Sequence, residues 1–293
     1  MTHGSPGLNT EDHLERLDTR LGPVGYRVSG DGPVLVFFAG ALANGDLWRD
    51  VVDPLQDRYR CITIDLPLGA HRWPLSPDAD RSAISLARLL LDCLELLEVT
   101  DAIVIANNTA GGLILLSLAT DHPALARISG LVLTNCDSYD QFPPDGLRRL
   151  CALCRTHPRL ARALVRLQAR SSILRRKTVG SVTGRGLDDM RTASFFGPAR
   201  RDPQVVGDLV AAFAGFRPEL LIDGAWAIRG FEQPVLVVWG EECEFFPMRD
   251  AQRLASDFPR ATVVSVPRAK AWVPIDNPGA VAQAIAQFVP LRP

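Results

Sequence analysis

This sequence predicts an α/β fold: a mostly parallel sheet covered by helices on both faces, with a helical insertion. Three observations predict it. Short apolar runs bounded by Gly or Pro alternate with helical patterns along most of the chain. The runs are apolar throughout rather than alternating, as strands buried on both faces are. One long segment, 138–228, contains helical Leu/Ala/Arg patterns and no strand pattern.

The elements follow in order. Val34 to Phe38 (VLVFF) reads as a buried strand ending in Gly40, and Cys61 to Leu66 (CITIDL) as a second, stopped by Pro67. Ser82 to Val99 reads as a helix, because Leu86, Leu90, Leu94 and Leu97 recur on one face. Ala102 to Ala106 is a third strand, Gly111 to Thr120 a helix, and Ile128 to Thr134 a fourth strand. Val235 to Trp239 and Thr262 to Val266 supply two more strands, with a helix over Met248 to Phe258 between them and another over Pro278 to Phe288. The pattern divides the chain into a core, 1–137 and 229–293, and a helical cap, 138–228. Ligands of open α/β sheets bind at the carboxyl ends of the strands, the edge such a cap would cover.

Composition removes whole classes. The chain has 293 residues, 47% hydrophobic and 22% charged, which is globular and excludes wholesale disorder. Net charge of −1 excludes a globally basic nucleic-acid binder. No apolar run is long enough to span a membrane, and the first residues have no secretory h-region. A cytoplasmic protein with neither nucleic-acid nor membrane partner is the expectation. The six cysteines are then expected as thiols. Cys151-x-x-Cys154 lies in a helical stretch without the second Cys/His pair that zinc needs, so no metal is expected. The absence of a phosphate loop or dinucleotide fingerprint predicts no bound cofactor. The cap is cationic. From Gly146 to Arg201 thirteen Arg and Lys177 face only Asp188 and Asp189, a net +12. Such a face attracts an anionic substrate or carrier, or is a solvated outer surface.

The candidate site centres on Ile103 to Leu116, IVIANNTAGGLILL. A strand runs into a turn of small residues and then a helix, the form of a nucleophile elbow. This resembles the α/β-hydrolase superfamily, and further landmarks agree in order. Phe37 to Trp48 (FFAGALANGDLW) resembles the strand and His-Gly loop that supplies an oxyanion-hole amide, with Ala39 where the His stands and Gly40 kept. Ile64 to Asp80 and Leu133 to Pro144 are similar to the haloalkane dehalogenase and epoxide hydrolase subgroup of bacteria. Val238 to Pro247 (VWGEECEFFP) resembles the strand end that carries the acid, and Val266 to Pro278 (VPRAKAWVPIDNP) the loop that carries the histidine. The resemblance spans roughly residues 24–137 and 229–290.

Carried over residue by residue, the resemblance places the nucleophilic Asp on Asn108, the acid on Cys243 and the histidine on Ala271. An amide is a poor nucleophile, and without imidazole nothing activates water for the second half of a covalent hydrolysis. Thr109 is the nucleophile if the turn shifts by one residue. Asp137, after the fourth strand, stands where some members of the superfamily keep an alternative acid; it reads as a pocket acid or base, or as a loop cap. Among the histidines, His3 and His13 lie in the polar N-terminus, His122 away from the binding edge and His157 on the cap surface, which leaves His71 near a pocket. Gly40, Ala41 and Leu42 can offer backbone N–H groups, and Trp48, Phe142, Phe246 and Trp272 line an apolar pocket or pack in the core. Glu241, Glu242 and Glu244 crowd the position of the acid, where one points inward or all three lie in solvent.

The resemblance therefore implies a non-hydrolytic enzyme that modifies an aromatic, anionic small molecule in bacterial secondary metabolism. A cofactor-independent oxygenase using dioxygen is the leading variant, and a cyclase or rearrangement enzyme the other. Two alternatives stand beside it: a non-catalytic small-molecule-binding protein, and a residual hydrolase using Thr109 or water activated by Asp137.

Overall fold

A computed structural model describes residues 14–289. His3 and His13 lie outside the described residues. Eight strands form one sheet: β1 (Glu15–Thr19), β2 (Gly22–Ser29), β3 (Val34–Phe38), β4 (Arg60–Asp65), β5 (Ala102–Asn108), β6 (Ile128–Cys136), β7 (Val235–Gly240) and β8 (Ala261–Val266). Their order is β1-β2-β4-β3-β5-β6-β7-β8. The pairings of β2 with β1 and with β4 are antiparallel and the rest parallel.

The sequence reading missed β1 and β2. Neither carries an apolar run: β1 is an edge strand of mostly exposed residues, and β2 mixes buried and half-buried positions, with Gly, Pro, Arg and Ser between its few apolar residues. Their hairpin is set by Gly22 at φ +122°, where a Cβ would stand 2.6 Å from the Ser76 backbone nitrogen.

Alternation within the parallel strands splits the core in two. Val36 and Phe38 face one cluster with Ile62, Ile64 and Val104. Leu35 and Phe37 face another with Ile103, Ile105 and Val132. Helices α1 (Arg49–Val52), α2 (Ala83–Leu96) and α3 (Thr109–Ser117) come next in the chain. Helix α3 is buried on every side, consistent with its apolar sequence GGLILL.

Between β6 and β7 the described chain is helical: α4 (Asp145–Thr156), α5 (Pro158–Arg170), α6 (Ser172–Val182), α7 (Asp189–Arg201), α8 (Pro203–Gly215), α9 (Pro218–Asp223) and α10 (Ala225–Gly230). After β7 come α11 (Met248–Asp257), α12 (Val273–Asp276) and α13 (Pro278–Phe288). Asp276 fastens the end of α6 to the core. Its Oδ1 accepts from the Thr183 hydroxyl at 2.6 Å and from the N–H of Gly184 at 2.9 Å and Arg185 at 3.1 Å, and its Oδ2 from Lys270 N–H at 2.8 Å. The backbone N–H of Trp272 donates to Val182 O at 2.7 Å beside it. Among the described residues no helix is long and apolar enough to cross a membrane.

Candidate active site

The turn from β5 into α3 is held in a conformation that side chains rarely adopt. Asn108 has φ 55° and ψ −129°. A non-glycine residue there costs about 1–3 kcal/mol and persists only where its surroundings impose it. The surroundings are tight. A Cβ on Gly40 would stand 2.7 Å from Asn107 O and from Asn108 Cβ. A Cβ on Gly111 would stand 2.3 Å from Cys136 Cβ, and one on Gly112 2.7 Å from Asp137 Cβ. The small residues around Asn108 are thus demanded by packing from β3 and β6.

The side chain of Asn108 is oriented by its own turn. Its Oδ1 accepts from Thr109 N–H at 2.7 Å and from the Thr109 hydroxyl at 3.0 Å. That leaves the Nδ2 amide as the group to offer to the cavity it lines. The same bond occupies the Thr109 N–H. Leu42 N–H is committed as well, to Leu68 O at 2.9 Å.

Behind the turn lies Asp137, 1% exposed, with one carboxyl oxygen lacking a partner. Burial pushes its carboxyl up to about 8, against a hydrogen bond from Thr109 that pulls the other way. The Thr109 hydroxyl has one proton and two acceptors, Asn108 Oδ1 and Asp137. With Asp137 protonated, the Thr109 hydroxyl keeps its bond to Asn108 Oδ1 without that competition.

The cavity above Asn108 has a volume of roughly 320 Å³. Ala41 and Leu42 line it after β3, Phe245 and Phe246 after β7, and Trp272 after β8. The inserted helices supply Leu147 and Leu150 of α4, Leu164, Val165 and Gln168 of α5, Thr178, Ser181 and Val182 of α6, and Leu209 and Phe213 of α8, with Pro144 ahead of them. No ionisable side chain is among the lining residues. The indole N–H of Trp272 is buried without a protein partner.

Some expected residues are brought together and others are not. Asn108, Ala41, Leu42, Phe246 and Trp272 share the cavity. Gly40, Thr109, Asp137 and Phe142 lie behind its wall; Phe142 packs on Phe216 with ring centroids 4.8 Å apart. Trp48 packs on Phe37 at 5.3 Å, away from the lining. His71 is 3% exposed and tied to structure: its Nδ1 accepts from Gly69 N–H at 3.3 Å, and its Nε2 lies 3.1 Å from Asp208 Oδ2. Asp208 also accepts from Leu75 N–H and from Arg81, so a buried carboxylate and its partners explain His71 without a ligand.

The Cys243 thiol is buried, accepts from Phe246 N–H at 3.4 Å and is pushed up to about 11 by burial, so it is neutral. Ala271 is fully buried. Glu241, Glu242 and Glu244 are exposed. Sequence reasoning missed Asn107, whose Nδ2 donates to Thr134 O, Thr134 Oγ1 and, at 2.8 Å, Ala271 O. It also missed the polar wall of Gln168, Thr178 and Ser181; the spacing of Thr178 and Ser181 on one helix face was the available signal.

This architecture is that of the α/β hydrolase fold family, and the chain belongs to it: the family model matches residues 33–278. Among its relatives is the uncharacterized hydrolase YugF of Bacillus subtilis, 25% identical over 87% of this chain and 89% of that protein. A cis-3-alkyl-4-alkyloxetan-2-one decarboxylase of Xanthomonas campestris is 36% identical over 45% of this chain and 46% of its own length. A haloalkane dehalogenase from Bradyrhizobium elkani superposes with a TM-score of 0.73 at 19% identity, covering 94% of this chain and 96% of that one.

Proposed function

We infer that this chain is a non-hydrolytic member of its family, an enzyme acting on an apolar aromatic small molecule that carries an ionised or strongly accepting oxygen. One observation carries the reading: no ionisable side chain lines the cavity, and Asn108 presents an amide donor where the resemblance places the nucleophile. Hydrolysis through an enzyme ester needs a nucleophile and a base, and the cavity wall holds neither. The chemistry left is what a substrate brings itself, assisted by binding, desolvation and hydrogen bonds to a developing charge. Asn108 Nδ2 and Trp272 Nε1 are the donors for that oxygen.

Cofactor-independent oxygenation in bacterial secondary metabolism fits these terms best. An ionised phenol or hydroquinone gives one electron to dioxygen, and the two radicals join through a new C–O bond as a peroxide. The Xanthomonas relative supports the wider reading, since its name is that of a decarboxylase rather than a hydrolase. The helices of 138–228 act as the cap, and their positive charge suits an anionic substrate. Thr109 and Asp137 fit a hydrolase poorly, because both lie behind the cavity wall. The absence of an ionisable group equally favours a second reading, a non-catalytic carrier.

The test is dioxygen uptake and product mass with a panel of polycyclic phenols and hydroquinones, in air and under argon, without added cofactor. Oxygen-dependent mass gain that is lost in Asn108→Ala supports the oxygenase. A product of unchanged mass under argon makes it a rearrangement enzyme. Binding with no product on any member of the panel favours the carrier.

A further inference from the structure

The outer face of α5 and α6 combines positive charge with exposed aliphatic residues, a pairing that attraction of an anionic substrate does not explain. From Gly146 to Leu187 the chain carries ten Arg and Lys177 and not one carboxylate. Among these cations only Arg148 has a carboxylate partner in the described structure, Asp145 at 2.9 Å. Asp188 pairs with Arg49 and Arg191, and buried Asp208 with Arg81 and His71, so neighbouring carboxylates are committed elsewhere.

Helix α5 divides into three stripes. Ala161, Val165 and Ala169 are buried against the rest of the molecule. Arg159, Arg162, Arg166 and Arg170 recur at helical spacing on a second face. Leu160, Leu164 and Leu167 form a third, and they are 51%, 43% and 54% exposed. The apolar stripe continues into the first turn of α6, where Ile173 is 77% and Leu174 37% exposed, with Arg176 and Lys177 exposed next to them. Half of the exposed large hydrophobic residues of the described molecule lie on these two adjacent helices. Leu164 also lines the cavity, so the stripe runs to its rim.

We propose that this face docks on an anionic lipid bilayer, with the Leu/Ile stripe in the acyl boundary and the arginines among the headgroups. Three features select that occupant. A basic helix with a separate apolar stripe is the pattern of an interfacial helix. The stripe is purely aliphatic, whereas protein interfaces concentrate energy in aromatic anchors. A second copy of the same face would bring two uncompensated cationic surfaces together. The arginine stems can lie along the apolar stripe while their heads stay at the lipid phosphates. This revises the sequence expectation of no membrane partner, which rested on the lack of a span. The docking is independent of the chemistry proposed for the cavity.

The test is co-sedimentation of the whole protein with vesicles of phosphatidylcholine alone and of phosphatidylcholine with an equal share of phosphatidylglycerol. Binding is expected to the anionic vesicles only. It should fall at least about tenfold when salt rises from 0.1 to 1 M and the screening length drops from about 10 to about 3 Å. The triple variant Leu160→Ser, Leu167→Ser, Ile173→Ser should lose at least about tenfold by removing the inserted apolar surface, with an unchanged far-UV spectrum. The charge variant Arg159→Gln, Arg170→Gln, Arg176→Gln should lose binding and its salt dependence. No sedimentation with either vesicle overturns the proposal. So does vesicle binding that both variants retain, and so does binding to polyglutamate that survives the serine variant, which would mark the face as a site for acidic protein.

Discussion

The turn after β5 and the loops after β7 and β8 meet at the floor of one cavity, yet they are built in opposite ways. The turn keeps a strained backbone at Asn108, φ 55°, packed against glycines that tolerate no Cβ. The loops hold Cys243 as a neutral buried thiol and Ala271 with no exposed surface. Strain persists where it still aims a polar side chain at the cavity. Where the loops present no charged group to it, ordinary apolar packing fills the space. The tie between them is the bond from Asn107 Nδ2 to Ala271 O.

The contrast can be broken most severely at Gly111. The Ala variant places a Cβ 2.3 Å from Cys136 Cβ, at the end of a strand paired on both sides. A loss of about 3 kcal/mol or more is expected in a urea melt. A loss below about 0.5 kcal/mol, the scale of a surface change, would mean that the turn is not tightly built.

Next comes the charge behind the turn. Asp137 titrates near 8 in the folded chain against an ordinary 3.8. The folded state then keeps a proton that the unfolded state has released, so stability should fall as pH rises between those two values and level off above the higher one. Asp137→Asn removes that slope. Melts of both proteins at the two ends of the window should diverge by several kcal/mol in favour of the variant at the alkaline end. Parallel pH profiles would show that Asp137 is ionised in the fold.

Asn107→Ala cuts the tie itself. It strands the buried Thr134 and Ala271 oxygens and should cost about 2–3 kcal/mol. An unchanged melt would mean that the turn and the loops are held together by packing alone. The smallest effect sharpens the comparison. Asn108→Gly relieves about 1–3 kcal/mol of backbone strain but adds the entropy of glycine and removes the acceptor of the Thr109 N–H and hydroxyl, so the melt should shift by less than about 1 kcal/mol. A loss above about 2 kcal/mol would argue that Asn108 is not strained.

Much of this was legible beforehand. The parallel strands announced themselves as apolar runs, and GG after NNTA marked the turn because only small residues satisfy its packing. Edge strand β1 and its neighbour β2 were not legible, since their pairing is made by backbone bonds and a glycine turn rather than by an apolar pattern. Within the site, Phe246 and Trp272 could be expected near the strand ends. His71 and Trp48 could not be separated from core residues by position alone: the first depends on Asp208, 137 residues away, and the second on which face of the sheet its loop folds toward. The role of Asn107 needed Ala271, 164 residues away.

Asp276 divides the cavity wall into two parts. With the end of α6 fastened through Thr183, Gly184, Arg185 and Lys270, the Trp272 side of the cavity is anchored. The facing wall comes from α4, α5 and α8, which pack on one another. Of these, α5 also carries the exposed leucines, and its Leu164 belongs to both surfaces, so whatever engages the outer face presses on a wall of the cavity without touching its floor.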